Sequence, residues 1–279
     1  MRYALKIFYV GDSEKVEGFQ RQIGKKTIEG DLLEAFRKAG LLGNLETAAY
    51  SAAGRTDRGV HALGQVVAIS TTEKLIVPAI NTHLPENIII WGSKVVNELF
   101  HPRYDALSRH YCYYTHYSKE NLRLMLEGAR LLEGIHDFKL FSKNSPSVST
   151  IREIYQIGIE LREPFLIFHV IANSFLWQMV RRIVYSLLKI GRADWILQDL
   201  QDLLNGTPKP NIFTTPNPTT ESGALILWDI EYPFQFQPDI KSLDKVKERL
   251  EKYIIDFSLK HYYFRELFDF FSSIAANGK

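Results

Sequence analysis

Residues 151–172 read IREIYQIGIELREPFLIFHVIA, two runs rich in β-branched and aromatic residues that alternate in polarity, with only Arg162 and Glu163 between them. No helix fits in that gap. A parallel return would need a crossover of a dozen or more residues, so the two strands, near 151–161 and 164–172, are expected to pair antiparallel. Working outward, the same signal marks strands near 2–10, 47–53, 63–71, 87–97, 109–117 and 224–231. Apolar residues at a spacing of three to four mark helices near 27–39, 120–133, 175–191, 194–204 and 241–272. Strands and helices interleave, but several neighbouring strands lie too close for helical crossovers. The expected class is therefore α+β with a mainly antiparallel sheet, not a doubly wound parallel one.

A seam is expected at His101–Ser108, HPRYDALS, where one strand ends and the next begins beyond a proline. It divides the chain into residues 1–104 and 105–279, the second part ending in a helical segment. Two long connections, Ser142–Thr150 and Asn205–Gly223, are the length that usually carries function or disorder in a compact protein.

With 279 residues there is ample core for one large or two modest domains. Hydrophobic content of 46% and charged content of 24% are those of a globular chain and exclude a disordered or collagen-like one. The single cysteine, Cys112, excludes an intramolecular disulfide and a multi-cysteine metal site, and fits a reducing compartment. The start, MRYALKIFYV, lacks the apolar core of a signal peptide, and the longest uncharged stretch, Pro164–Val180, is too short and too polar to span a bilayer. Cytoplasmic residence without a membrane partner is the expectation. The formal charge of +2 is too balanced to announce a polyanionic partner through bulk electrostatics, so any such partner would be met by a local basic patch.

The chemistry concentrates in Ser51–Ser70, SAAGRTDRGVHALGQVVAIS. Asp57 stands between Arg55 and Arg58, with Gly54 and Gly59 on either side to permit unusual backbone angles. Flanking guanidinium groups favour the charged carboxylate, which suits a nucleophile or a base. By spacing alone, the commoner meaning of such a segment is a solvated aspartate in a glycine-bounded turn.

The run Gly54–Val66, GRTDRGVHALGQV, resembles the signature of the tRNA pseudouridine synthase A (TruA) family, GRTDxGVHAxGQV. Further motifs follow in order. GFQRQ at Gly18–Gln22 is similar to GWQxQ, and TIEGDLLEAF at Thr27–Phe36 to TVEGxLExAL. SRHYCYY at Ser108–Tyr114 resembles ARRYRY, GIHDFKLF at Gly134–Phe141 resembles GxHDFxxF, and ANSFLWQMVRRIVYSL at Ala172–Leu187 resembles ANAFxxHMVRNIVGSL. ALILWDIEYP at Ala224–Pro233 corresponds to GLxLxxVxYP. The chain departs from these patterns at Phe19, Gln178, Tyr185 and Ala224, and the tail from about Lys241 carries none of them.

The resemblance implies two ferredoxin-like α/β halves sharing a continuous mainly antiparallel sheet, with an active-site cleft between them. It implies Asp57 as catalytic nucleophile, Tyr111 and Arg181 as active-site residues, Leu225 as the apolar residue beside the target uracil, and Arg55 as an RNA contact. Arg58 joins Arg55 as a candidate substrate contact, with Arg109, Arg182, Lys189 and Arg192 as further phosphate candidates. The implied reaction isomerises uridine to pseudouridine at tRNA positions 38–40, in a homodimer. Alternatives are other uridines in tRNA or another RNA, and an RNA-binding or chaperone module without catalysis.

Residue patterns bear on some of these roles independently. On the helix after Leu176, Arg181 falls at the border of the apolar stripe, where its stem can lie on apolar surface and its head can meet the Asp57 carboxylate. Tyr111 shares a strand face with Tyr113 and Tyr117, which fits an aromatic ladder as readily as stacking on a base. His61, His136 and Asp137 match no metal-ligand spacing, Cys112 is read as a buried inert thiol, and no glycine pattern for a nucleotide cofactor occurs. Neither cofactor nor metal is expected, consistent with an isomerisation that needs neither oxidant nor energy donor.

Overall fold

The structure, a computed structural model, describes residues 1–12, 14–42, 50–143, 149–207 and 225–277, with side chains to 272. Ten strands among them form one sheet: β1 Arg2–Tyr9, β2 Ser51–Ala52, β3 His61–Ser70, β4 Ile88–Val96, β5 Ser108–His116, β6 Gly134–Asp137, β7 Ile151–Arg162, β8 Phe165–Ala172, β9 Leu225–Glu231 and β10 Gln237–Pro238. Their order is β10-β4-β1-β3-β9-β5-β8-β7-β6, with β2 paired on β3. Helices α1 Ile28–Lys38, α2 Val77–Asn81, α3 Leu122–Leu132, α4 Met179–Gly191, α5 Leu197–Leu204 and α6 Ile240–Asn277 complete the α+β fold.

Residues 151–172 form the β7–β8 hairpin in antiparallel register, Arg162 opposite Phe165. Every other pairing is antiparallel too, apart from one: β3 and β9 run parallel for two rungs, His61 with Ile226 and Ala62 with Leu227. That short contact joins the sheet of the first half to the sheet of the second. It is possible because Gly64 lacks a Cβ, which would stand 2.7 Å from the Asp229 carboxylate and 3.0 Å from the Asp229 Cα and the Trp228 carbonyl oxygen.

Two apolar cores flank the seam. One is built on β1, β3 and α1, around Leu5, Ile7, Leu32 and Phe36; the other packs α3, α4 and α5 on β5 and β8, around Tyr113, Phe168, Ile183 and Leu187. Tyr111 on β5 packs against both. Position along α1 explains its share: Ile28, Leu32, Leu33 and Phe36 recur on one face and are buried, and Thr27 caps the helix by accepting from the Gly30 N–H at 3.2 Å.

Several details differ from expectation. Helix α4 starts at Met179 and not near 175, because Gln178 takes a left-handed backbone conformation, φ 63°, that no helix accommodates. The short elements α2, β6 and β10 have too few residues to show a period. Of the strand expected near 47–53, Ser51 and Ala52 pair with β3, while 47–49 lie outside the described residues. The two long connections fall largely outside them as well.

After β9 the chain crosses back over the sheet. Tyr232, Phe234 and Phe236 cluster with Phe100, β10 pairs with β4, and the start of α6 is held by an Asn81 Nδ2 donation to the Ser242 hydroxyl at 2.8 Å and an Arg249–Glu86 ion pair. In sequence α6 follows the second half; in space its first turns lie against the first. Farther along, Ile254, Phe257, Phe264 and Phe268 are exposed. No helix of the described residues is long and apolar enough to cross a membrane.

Because the halves meet at the Gly64 contact, a methyl group there forces β3 and β9 apart. Gly64→Ala is expected to lower the unfolding free energy by about 1–3 kcal/mol in urea titrations, the usual cost of overpacking. A change below about 0.5 kcal/mol would contradict this account of the seam.

Candidate active site

The loop joining β2 to β3 is held from several sides. Tyr9, fully buried at the end of β1, shares a 2.7 Å hydrogen bond with the Thr56 hydroxyl. The Phe19 N–H donates to the Thr56 carbonyl at 3.0 Å, and Gln65, buried in β3, donates from Nε2 to the Gly54 carbonyl at 3.1 Å. Gly18, at φ +94°, lies flat on the loop: a Cβ there would stand 3.1 Å from the Arg58 nitrogen and the Thr56 oxygen and 3.3 Å from the Asp57 carbonyl carbon. The Gly18 and Phe19 carbonyls in turn accept from the Ile28 and Glu29 N–H groups at the start of α1. The Val60 N–H donates to the Asp57 carbonyl at 3.2 Å, closing a turn in which Gly59 supplies φ +80°. Gly54, the other glycine expected to need an unusual angle, has no left-handed backbone.

Held in this way, Asp57 is exposed on the wall of an open cavity of about 1140 Å³. The six residues singled out for catalysis or substrate contact line it, Arg55, Asp57 and Arg58 from the loop, Tyr111 from β5, Arg181 from α4 and Leu225 from β9, and so does the further phosphate candidate Arg109 on β5. Arg181 is only 4% exposed. Burial lowers its affinity for the proton below the ordinary guanidinium value, and the charges of Tyr113 and Asp57 act in the opposite sense. A guanidinium stays charged through such a shift, so α4 presents a desolvated cation whose field reaches Asp57.

The Tyr111 ring is half-buried and meets Phe175 edge-on, centroids 5.1 Å apart. Burial pushes its hydroxyl up to about 12; Arg109 opposes that and Asp57 adds to it. Arg109, half-buried, donates to the Asn173 and Arg103 carbonyls and so braces the wall.

Trp177 is the functional candidate that sequence reasoning missed. Its Nε1–H donates to Asp57 Oδ1 at 3.2 Å, across 120 residues of chain, while Lys143 lies over its ring at 5.1 Å. The signal was present only as position: Trp177 precedes the left-handed Gln178, whose backbone turn ends the approach to α4.

The remaining candidates go elsewhere. Arg182 donates to the Leu140 carbonyl, Lys189 pairs with Asp194, and Arg192 pairs with Glu120; none of the three lines the cavity. Arg58 is paired with Glu17 at 3.4 Å and stays on the wall. His61 accepts from the Gly11 N–H, His136 meets the Glu133 carbonyl, and Asp137 accepts from the Lys139 N–H, so these three do not converge.

Comparison with known proteins identifies the family. Residues 129–233 match the family described as tRNA pseudouridine synthase, whose members are isomerases acting on RNA. A protein named tRNA pseudouridine synthase A from Pyrococcus furiosus is 38% identical over 266 residues, 94% of this chain and 96% of its own. One of the same name from Thermococcus onnurineus is 36% identical over 258 residues, 91% and 94% of the two chains. The chain belongs to the tRNA pseudouridine synthase A family. Among solved structures, an archaeal box H/ACA sRNP Nop10–Cbf5 complex aligns with TM-score 0.35 and 12% identity, over 71% of this chain and 53% of that one.

Two expectations follow from the geometry. Gly18→Ala should cost more activity than stability, because a displaced loop moves the carboxylate: pseudouridine formation should fall about 10–100-fold, with a stability loss of only about 1–2 kcal/mol. An unchanged turnover would contradict the loop's role. The second concerns alkali. With a folded value above the unfolded value of 10, Tyr111 contributes stability that is fully present below pH 10 and lost as pH rises through about 12. Unfolding free energy should therefore fall less steeply over that interval in Tyr111→Phe than in the parent, and identical slopes would overturn the assignment.

Proposed function

We propose that this tRNA pseudouridine synthase isomerises uridines at positions 38–40 of the anticodon arm, with Asp57 as the reacting carboxylate. The observation that carries the reading is the convergence, on one cavity, of Asp57, Tyr111, Arg181 and Leu225 from four separate parts of the fold. In the reaction the N1–C1′ bond breaks, the uracil rotates, a C5–C1′ bond forms, the C5 proton leaves and N1 takes up a proton, so no outside oxidant or reductant enters.

A carboxylate beside the sugar suits an oxocarbenium-like centre, as in retaining glycoside chemistry. Attack at C1′, addition to the uracil ring and removal of a 2′ proton all require the same ionised Asp57. The Arg181 guanidinium, fixed on α4, forms an ion pair with the Asp57 carboxylate in the loaded site. The Tyr111 ring stacks on the displaced uracil, its hydroxyl assists loss of the C5 proton, and Leu225 packs against the base. Arg55 and Arg58, exposed on the wall, take RNA phosphates, so binding weakens with salt. A uridine must leave its stack to reach Asp57, at a cost of a few kcal/mol that is smallest in a loop or beside a stem end. That favours an anticodon arm.

Residues 1–104 and 105–279 are proposed as the two halves around the site, supported by the two cores, of which the first also takes in Leu227, Ile230 and Tyr232 from the second part and the second takes in Val60 from the first. A homodimer in the cytoplasm is proposed with them, supported by the exposed apolar residues of α6 for the assembly and by the single cysteine for the compartment.

The test is release of tritium from tRNA labelled at uridine C5, combined with mapping of the modified positions. Release confined to positions 38–40 is expected, with at least a ~10⁴-fold loss in Asp57→Ala, about 5.5 kcal/mol of transition-state stabilisation, and RNA binding largely kept. Arg181→Ala should impair turnover. Release from other positions would move the substrate assignment, and no release from any tRNA would leave an RNA-binding module.

A further inference from the structure

On the opposite face of β5 from Tyr111, three side chains that the reaction does not use bring their donor atoms together. His110 and Cys112 are two residues apart on β5 and so share a face, and His169 on β8 is the direct register partner of Cys112. His110 Nε2 lies 3.1 Å from His169 Nδ1, and the Cys112 sulfur lies 3.5 Å from the first and 3.2 Å from the second. Among the described residues this is the group of three or more His, Cys, Asp and Glu side chains close enough to share one ion.

Hydrogen bonding alone satisfies this triangle poorly. One proton between the two ring nitrogens uses the donor of one and the lone pair of the other, and the thiol then has no undivided partner on either. A cation uses all three lone pairs at once. In a tetrahedral site with metal–nitrogen distances of ~2.0–2.1 Å and a metal–sulfur distance of ~2.3 Å, ligand atoms stand roughly 3.3–3.6 Å apart. The observed triangle is within a few tenths of an ångström of that.

The surroundings match. Glu160 Oε2 lies 3.7 Å from His169 Nε2, the ring nitrogen facing away from the triangle, which is where a carboxylate orients a ligating imidazole. Asp229 is the register partner of His110 on β9, and its charge acts on that ring. Cys112 is fully buried while His110 and His169 are half-buried, so the cluster lies at the edge of the solvent, and three ligands leave one tetrahedral position for water. Two imidazoles and one thiolate suit a borderline-soft late first-row divalent ion and offer nothing to magnesium or calcium, which take oxygen ligands.

We infer that His110, Cys112 and His169 form a zinc-class metal site with one open coordination position. The site is distinct from the cavity that holds Asp57. An ion there ties β5 to β8 directly behind Tyr111, where the β5–β9 register slips between His110 and Tyr111, and so stiffens the strand that carries the ring. Binding replaces the thiol proton, which goes to solvent.

The experiment uses the untagged full-length chain, dialysed against chelator and titrated with Co²⁺ and then Zn²⁺. One Co²⁺ per chain is expected, with thiolate-to-cobalt charge transfer in the near ultraviolet and the intense visible bands of four-coordinate cobalt; Zn²⁺ should displace it and raise the melting temperature. Cys112→Ser should abolish the charge-transfer band, and His169→Gln, which leaves the buried thiol in place, should weaken binding at least ~10-fold. Failure of the parent protein to bind one equivalent at micromolar cobalt or zinc would overturn the inference. So would full binding by His169→Gln, or a charge-transfer band that persists without Cys112.

Discussion

Two rungs of parallel pairing, His61 and Ala62 against Ile226 and Leu227, decide where the site can be. Strand β3 begins three residues after Arg58, so whatever fixes its first residues also fixes the Asp57 loop. Strand β9 begins at Leu225 and pairs on its other side with β5, Leu225 opposite Tyr113 and Leu227 opposite Tyr111. The same short contact therefore sets the loop, the apolar residue and the tyrosine in one place, and α4 brings Arg181 to it from the second core. Few hydrogen bonds hold this seam. It depends on a close backbone approach that only Gly64 allows.

The electrostatic arrangement follows from burial. Asp57 is exposed in the cavity, whereas Arg181 is almost wholly shielded by the α4 core. The Asp57 carboxylate and that shielded cation line the same cavity, and any covering that excludes water there strengthens the field between them. Trp177 adds a directed donor to the same carboxylate. Asp57 thus has its position set by backbone contacts at Gly18, Thr56 and Gly54, and it shares its cavity with a shielded cation carried by the other half of the chain.

Much of this was legible in the sequence for identifiable reasons. The β7–β8 hairpin could be read because two residues cannot contain a crossover, and α1 because Thr27 and the spacing of its apolar residues agree. The six cavity residues were legible through ordered motifs, although spacing alone left Asp57 as an ordinary turn residue and Tyr111 as part of a ladder. The start of α4 was misjudged because periodicity is blind to one residue at φ 63°. Trp177 was missed because its partner lies 120 positions away, and the His110–Cys112–His169 triangle because its third member reaches it only through the register of β5 on β8. Arg182, Lys189 and Arg192 are basic in sequence but are already occupied by a carbonyl or by carboxylates.

The claim on which these points converge is that a nucleotide drawn out of its helix meets Asp57 between Tyr111 and Leu225. The most direct measurement is a crystal structure with an anticodon-arm RNA carrying 5-fluorouridine, whose C5 substituent cannot leave as a proton and so arrests the final step. The account predicts the modified base stacked on the Tyr111 ring, with its C1′ or ring carbon bonded to the Asp57 carboxylate or within ~3.5 Å of it. A base lodged elsewhere on the molecule, or an Asp57 side chain turned away from the bound nucleotide, would contradict it.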